Sequence, residues 1–387
     1  MGQVYHHQWA NDKATWDFKA RNVGVDLTHE PYTKEDVDEI VEQIKAYCNL
    51  RFTQDELQFL NTKFPWIHHD YTNFLSFWHP RYEDFEIRYD ESVPSHIVIH
   101  FKGVQEYVEY YEIPVLEIAA EVYYRNHYNY KDLFEEFKKE TLAKIEKVKN
   151  GTYNLSVFSE FGARRRLSFE AQDWLIATLK EAKIPGFMGT SNVYLAKKYE
   201  LNAAGTMAHE FIMTVGQGHP EFNPAYSNKY ALESWVKEYG TWNGIALTDT
   251  ITTDCFLKDF QKTFSTLFSG VRHDSGDPKA WGDKMIEHYK SFGIDPMTKT
   301  LLFSDGLNGE VATELSEYFK GRAKVAFGIG TWWSAPQGIK PLNIVAKTAI
   351  INGHDVAKLS DCEGKNMCRN PEYIEYLKRT IAWRMSH

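Results

Sequence analysis

Apolar residues recur at helical spacing early in the chain. Val37, Ile40, Val41, Ile44 and Cys48 follow Thr33 and Asp36, which stand at the separation of a capping box. The pattern predicts an amphipathic helix. Residues 96–101 alternate apolar and polar as a half-buried strand does, and stretches 115–124 and 130–149 return to the helical period. The first part of the chain therefore mixes α and β.

After Asn150-Gly151 the pattern changes to short β-rich runs, each closed by polar or glycine residues and each followed by a helical stretch. Seven such units are expected. Their strand ends fall near Val157-Phe158, Phe187-Met188, Gly205-Thr206, Ala246-Leu247, Val271, Leu302-Phe303 and Ala326-Phe327. Two strand-like runs, 342–350 and 355–359, and a helix over 371–383 complete the chain. Repeated βα units imply an α/β fold with a parallel sheet, and seven without an obvious break in strand order imply a closed or nearly closed barrel.

Barrel sites form at the C-terminal ends of the strands. Those ends carry Phe161 and Arg164, Gly189-Thr190-Ser191, His209, Asp249, Arg272 with Asp274 and Gly276, Asp305-Gly306, and Gly328 with Gly330. Arginine, histidine, aspartate and glycine at successive strand ends read as one site.

Composition narrows the function. With 43% hydrophobic, 25% charged and 15% aromatic residues, the chain is globular, neither disordered nor fibrous. Residues 1–150 hold 27 Asp and Glu against 17 Lys and Arg, whereas the remainder holds 26 against 27. A nearly neutral second half with local basic clusters suits a small anionic substrate, and nucleic acid is not expected as a partner. Cys48, Cys255, Cys362 and Cys368 form no CxxC pair, so disulfides and zinc knuckles are disfavoured. No long apolar run and no signal-peptide core occur, so no membrane association is expected and the cytoplasm is the expected location.

The chemical signals differ in strength. Arg164-Arg165-Arg166 can grip a phosphate or carboxylate, or form a solvated basic turn. Gly189-Thr190-Ser191-Asn192 opens a helix, either as a simple cap or as an anion site. Gly328-Ile329-Gly330 is followed by Trp333 where a dinucleotide fingerprint needs its third glycine, and no Walker sequence occurs. His209-Glu210 has Met213 where a zinc protease places its second histidine. A histidine at a barrel strand end can instead be a nucleophile or base. Arg272-His273-Asp274-Ser275-Gly276-Asp277-Pro278 is the densest cluster, in which Asp277 caps the next helix and Arg272 and Asp274 remain for chemistry. His6-His7 and His68-His69-Asp70 are read as surface residues, because adjacent histidines face apart; no resident metal centre is expected.

Phe161-Gly162-Ala163-Arg164-Arg165-Arg166, Gly189-Thr190-Ser191-Asn192, Gly205-Thr206-Met207-Ala208-His209-Glu210, Gly244-Ile245-Ala246-Leu247-Thr248-Asp249, Arg272 to Pro278, and Phe327-Gly328-Ile329-Gly330-Thr331 occur in an order and spacing that resembles nicotinate phosphoribosyltransferases. The resemblance implies an irregular α/β barrel of about seven strands over 111–339, with an N-terminal α+β lobe, 1–110, joined by the tail, 340–387. It implies a homodimer with shared active sites. The implied reaction joins nicotinate to 5-phosphoribosyl 1-pyrophosphate, with ATP as co-substrate acting through a phosphohistidine, in NAD biosynthesis. By the same resemblance His209 is that histidine, Arg164 holds the base and Phe161 is one wall of the ring sandwich. Gly189, Thr190 and Ser191 join the substrate pocket. Asp249, Arg272, Asp274, Asp305, Gly306, Gly328 and Gly330 match positions that handle ribose phosphates and Mg²⁺. Two departures stand out. The chain begins at Met1-Gly2-Gln3-Val4, partway through the family's first motif, so the Asp-Tyr-Lys segment whose tyrosine would stack on the base from the other subunit is expected to be missing; and Trp332-Trp333-Ser334 replaces the polar residues expected after Gly330.

Overall fold

The computed structural model describes residues 1–25, 28–336, 338–362 and 366–387. The expected first helix forms as Lys34–Tyr47, and its cap is reciprocal: Thr33 Oγ1 accepts the Asp36 N–H at 3.1 Å and Asp36 Oδ2 accepts the Thr33 N–H at 2.7 Å. An antiparallel sheet follows from strands β1 (Lys13–Ala20), β2 (Phe85–Tyr89) and β3 (Ile97–Val104). Two strands from the far end of the chain complete it, β11 (Ile344–Ile351) and β12 (His354–Asp355), in the order β12-β11-β1-β3-β2. Ala14 pairs with Ile351 and Ala20 with Ile344, so β1 sits between β3 and the tail. Its buried Trp16 stacks on Phe101 of β3 at 5.4 Å. Aromatic cross-strand packing of this kind stabilises a sheet face.

The second sheet is parallel and curled. It contains β4 (Val157–Glu160), β5 (Phe187–Thr190), β6 (Asn202–Ala203), β7 (Ile245–Leu247), β8 (Gly270–His273), β9 (Thr300–Phe303) and β10 (Lys324–Ile329), in the order β6-β5-β4-β10-β9-β8-β7. That is the circular order of a barrel opened between β6 and β7, where among the described residues no ladder forms. Thr206 Oγ1 donates to the Ile245 carbonyl at 2.8 Å across this seam.

Two expectations are corrected here. The third strand lies at 202–203 rather than at Gly205-Thr206, because the ladder ends where Thr190 accepts the Ala204 N–H and β5 offers no further partner. The run 355–359 is a strand only at its start. Beyond it Leu359 bridges Ile251 in parallel and Lys358 bridges Met367. The last helix, Pro371–Ser386, begins with proline at its first position under an Asn370 cap. No helix among the described residues is long and apolar enough to cross a membrane.

Candidate active site

On β8, Val271 and His273 face the helix layer: the His273 ring packs on Trp281 and Phe303 at 5.2 and 5.8 Å. Residues two apart share a face, so Arg272 and Asp274 are turned the other way, toward the strand ends. Asp274 Oδ2 lies 2.9 Å from His209 Nε2, at the first residue of the helix His209–Gln217. Thr250, just past β7, places Oγ1 3.0 Å from His209 Nδ1, and Asp249 lies 3.8 Å from Nε2. Ser275 Oγ donates to Asp249 Oδ2 at 2.5 Å. The tail then supplies a lysine: Lys358 Nζ stands 2.8 Å from His209 Nε2, 3.3 Å from Asp249 and 3.6 Å from Asp274.

Burial sets the electrostatics. The His209 side chain is 6% exposed; desolvation and then the Lys358 charge pull its pKa down, against the opposing pull of Asp249 and Asp274. Burial pulls the two carboxylates upward, but the neighbouring His209, Lys358 and, for Asp274, Arg272 outweigh it and keep both ionised. The ligand atoms of His209, Asp249 and Asp274 lie within 4.8 Å of one another.

Comparison with known proteins shows the family. The sequence model of the nicotinate phosphoribosyltransferase (NAPRTase) family matches residues 156–383, and that of its N-terminal domain matches residues 1–120. A nicotinate phosphoribosyltransferase of Cupriavidus necator is 40% identical over 382 residues, 99% of this chain and 95% of that one. Nicotinate phosphoribosyltransferase 1 of Pseudomonas aeruginosa is 40% identical over 98% of this chain and 93% of its own. The crystal structure of nicotinate phosphoribosyltransferase from Vibrio cholerae superposes with a TM-score of 0.90 at 33% identity, covering 99% of this chain and 91% of that one. The one from Porphyromonas gingivalis gives 0.88 at 31%, covering 98% and 96%.

This chain belongs to the nicotinate phosphoribosyltransferase family. It is an enzyme of the phosphoribosyltransferase class.

The remaining residues marked by the resemblance to nicotinate phosphoribosyltransferases fall into a second group beside the first. Phe161 is half-buried and, with Ala204, Gly205 and Leu302, lines an open cleft of about 210 Å³ between β4, β6, β9 and β10. A larger groove, about 440 Å³, opens at the opposite ends of the strands around Val157, Thr300 and Lys324 and holds none of these residues. Gly189, at φ +153°, lets β5 approach Asn202 so closely that a Cβ would overlap its carbonyl. Thr190 turns its hydroxyl to buried Glu160, 2.7 Å away, and the Ser191 N–H donates to the Glu160 carbonyl at 2.8 Å. Glu160 also accepts from the Gly162 N–H at 2.5 Å and from Gln172 at 3.0 Å, tying the Phe161 turn to the Thr190 turn. Asp305 is half-buried at the end of β9, and Gly306 turns the chain at φ +59°.

The three arginines separate as their spacing requires. Arg166 is buried against Glu117 at 2.8 Å, and Arg165 donates to Asn343 at 3.2 Å. Arg164 makes no side-chain hydrogen bond among the described residues and stays half-buried beside Arg165 and Arg21. Burial first, then these neighbours, push the Arg165 guanidinium down to about 9. Trp333, placed where a glycine or polar residue was expected, is core: it stacks on Phe158 at 5.9 Å. His7 and His68 do come together, with Glu238, although neither adjacent pair chelates by itself.

Sequence reading missed Lys358, Thr250, Glu160 and Arg21. Lys358 had a signal, a lone cation inside the apolar run Val356-Ala357-Lys358-Leu359, as did Lys347 within Ile344–Ile351. Lys347 pairs with Glu210, next to the histidine.

Proposed function

We propose that this chain transfers the phosphoribosyl group of 5-phosphoribosyl 1-pyrophosphate to nicotinate, giving nicotinate mononucleotide and pyrophosphate, in NAD biosynthesis in the cytoplasm. ATP is the co-substrate and phosphorylates His209, and the working unit is a homodimer with shared sites. The observation that carries the reading is the buried imidazole of His209 set against Asp249, Asp274 and Lys358, with Arg272 beside Asp274.

Departure of pyrophosphate leaves positive charge on the sugar carbon and negative charge on the leaving group. The protein's task is therefore electrostatic. Arg272 and the Arg164, Arg165 and Arg21 group supply cations for phosphate and carboxylate oxygens. Asp249 and Asp274 fit Mg²⁺ through their oxygens, and Asp249 Oδ1 is buried without a hydrogen-bond partner. Held there, the ion would neutralise phosphate charge. Phe161 offers a ring face to nicotinate beside the cleft it lines, with Arg164 for its carboxylate and Ser191 near the same turn.

The test is a product assay for nicotinate mononucleotide with and without ATP, run beside γ-labelled ATP. The native enzyme acquires acid-labile label and His209→Ala acquires none, with ATP hydrolysis uncoupled from product. Equal labelling of His209→Ala removes His209 from the mechanism.

A further inference from the structure

The chain carries two adjacent histidine pairs, and the fold takes one member of each to the same place. On the helix Gly2–Gln8, His6 turns to Glu106 at 2.8 Å and stacks on Phe74, while His7 turns the other way. His68 stands at the N-cap of the helix His69–Phe77 and lays its ring 5.4 Å from that of His7. Glu238, next to the last residue of the helix Ser227–Tyr239, completes the group, with Oε1 2.7 Å from His7 Nδ1. One ligand atom from each of His7, His68 and Glu238 lies within 4.8 Å of the other two. Three helices converge to build this cluster.

Each member has something left to give. The Glu238 side chain is only 4% exposed, yet among the described residues no lysine or arginine pairs with it; its partners are His7, Gln3 at 2.6 Å and Gln8 at 3.3 Å. A buried carboxylate held mainly by neutral amides still favours a cation. The ring of His68 makes no hydrogen bond among the described residues, and its exposure leaves it room to turn. Buried Gln3 sets the frame: its amide donates to Glu238 and to the Trp66 carbonyl, and its Oε1 accepts the His68 N–H at 2.8 Å. His7 meets a carboxylate at both ring nitrogens, Glu238 at Nδ1 and Asp70 Oδ2 3.2 Å from Nε2. One nitrogen can take an ion while the other keeps its carboxylate, the outer partner that metal-bound histidines use.

Bonds of about 2.1 Å set ligand atoms roughly 3.4 Å apart around a tetrahedral ion. The contact of His7 with Glu238 therefore opens and His68 closes in, both by side-chain rotation. Two imidazoles and one carboxylate suit Zn²⁺, Ni²⁺ or Cu²⁺, whereas Mg²⁺ prefers oxygen ligands and water.

We propose that His7, His68 and Glu238 form a binding site for one divalent transition-metal ion of the zinc class, with Asp70 orienting His7 and Gln3 fixing Glu238. The site shares no residue with the cluster at the strand ends and does not depend on the reaction assigned there. A bound ion pins the helix Gly2–Gln8 to the helices His69–Phe77 and Ser227–Tyr239. Because it binds the folded chain, it also raises stability.

The test is calorimetric titration of the full chain with ZnCl₂ in excess Mg²⁺, native protein beside His68→Ala. The strand-end cluster is the same in both, so the difference reads this site alone. His68→Ala keeps the backbone N–H that Gln3 accepts and loses only an exposed ring, so the fold is retained. Native protein takes up one zinc per chain that His68→Ala and His7→Gln bind at least tenfold more weakly, and Asp70→Asn weakens it roughly tenfold. His69→Ala, one residue further on and also exposed, binds as the native chain does. Zinc raises the Tm of native protein by more than that of His68→Ala. Equal zinc binding by native protein and His68→Ala overturns the proposal. So does a loss in His69→Ala as large as that in His68→Ala, which would mark the binding as adventitious surface chelation.

Discussion

The ring of Phe161 occupies the space that any side chain on Gly328 would need. A Cβ there would overlap two ring carbons, while Gly330 brings its backbone against the Phe161 carbonyl. The glycines of this loop thus make room for Phe161. Gly328→Ala should displace the ring at a stability cost of about 1–3 kcal/mol. In steady-state kinetics the nicotinate KM should rise more than the KM for ATP; equal changes in both would separate Phe161 from base binding.

Acidity around Lys347 gives a second expectation. Glu112 and Glu210 both pair with Lys347, and burial, partly offset by Lys347 and Arg164, pushes the Glu112 carboxyl up to about 7. An acid whose folded pKa is raised contributes its stability below its unfolded pKa and loses it as pH climbs through the folded value. Glu112 therefore costs stability between about pH 4.5 and pH 7 and above. Glu112→Gln should leave thermal stability unchanged near pH 4 and raise it at pH 8, by an amount of order 1–3 kcal/mol. A gain of the same size at both pH values would contradict this.

Selectivity for an acid over an amide should lie in the turn held by Glu160. Ser191 is neutral and half-buried there. Ser191→Asp would set an anion near the nicotinate carboxylate and weaken nicotinate use by about 1–3 kcal/mol in kcat/KM, with nicotinamide gaining relative to nicotinate. Unaltered nicotinate kinetics would locate the carboxylate elsewhere.

Local rules made much of the fold legible. The helix Tyr130–Lys149 has the bounds its periodicity gives, and the Thr33 and Asp36 cap closes as its spacing requires. Six of the seven barrel strands lie at the expected positions. The exception, at 202–203, depends on how close Gly189 comes to Asn202, a distance no periodicity encodes. The candidate site was legible in part, since His209, Asp249 and Asp274, read from the sequence as one group, do come together. Lys358 and Glu160 were not, because each acts through a partner that sequence does not name: 149 positions separate Lys358 from His209, and 30 separate Glu160 from Thr190.

The pairing of β1 with β11 also imposes an order of assembly. A ribosome makes Ala14 long before Ile351, so the first strand must wait, with one edge open, until nearly the whole chain has emerged. Lys358 emerges a few residues after that closing strand. A nascent chain halted before residue 344 would hold every strand of the barrel and His209 itself, yet leave the imidazole without Lys358 beside it. The strands that close the antiparallel sheet thus also complete the surroundings of His209, and both arrive last.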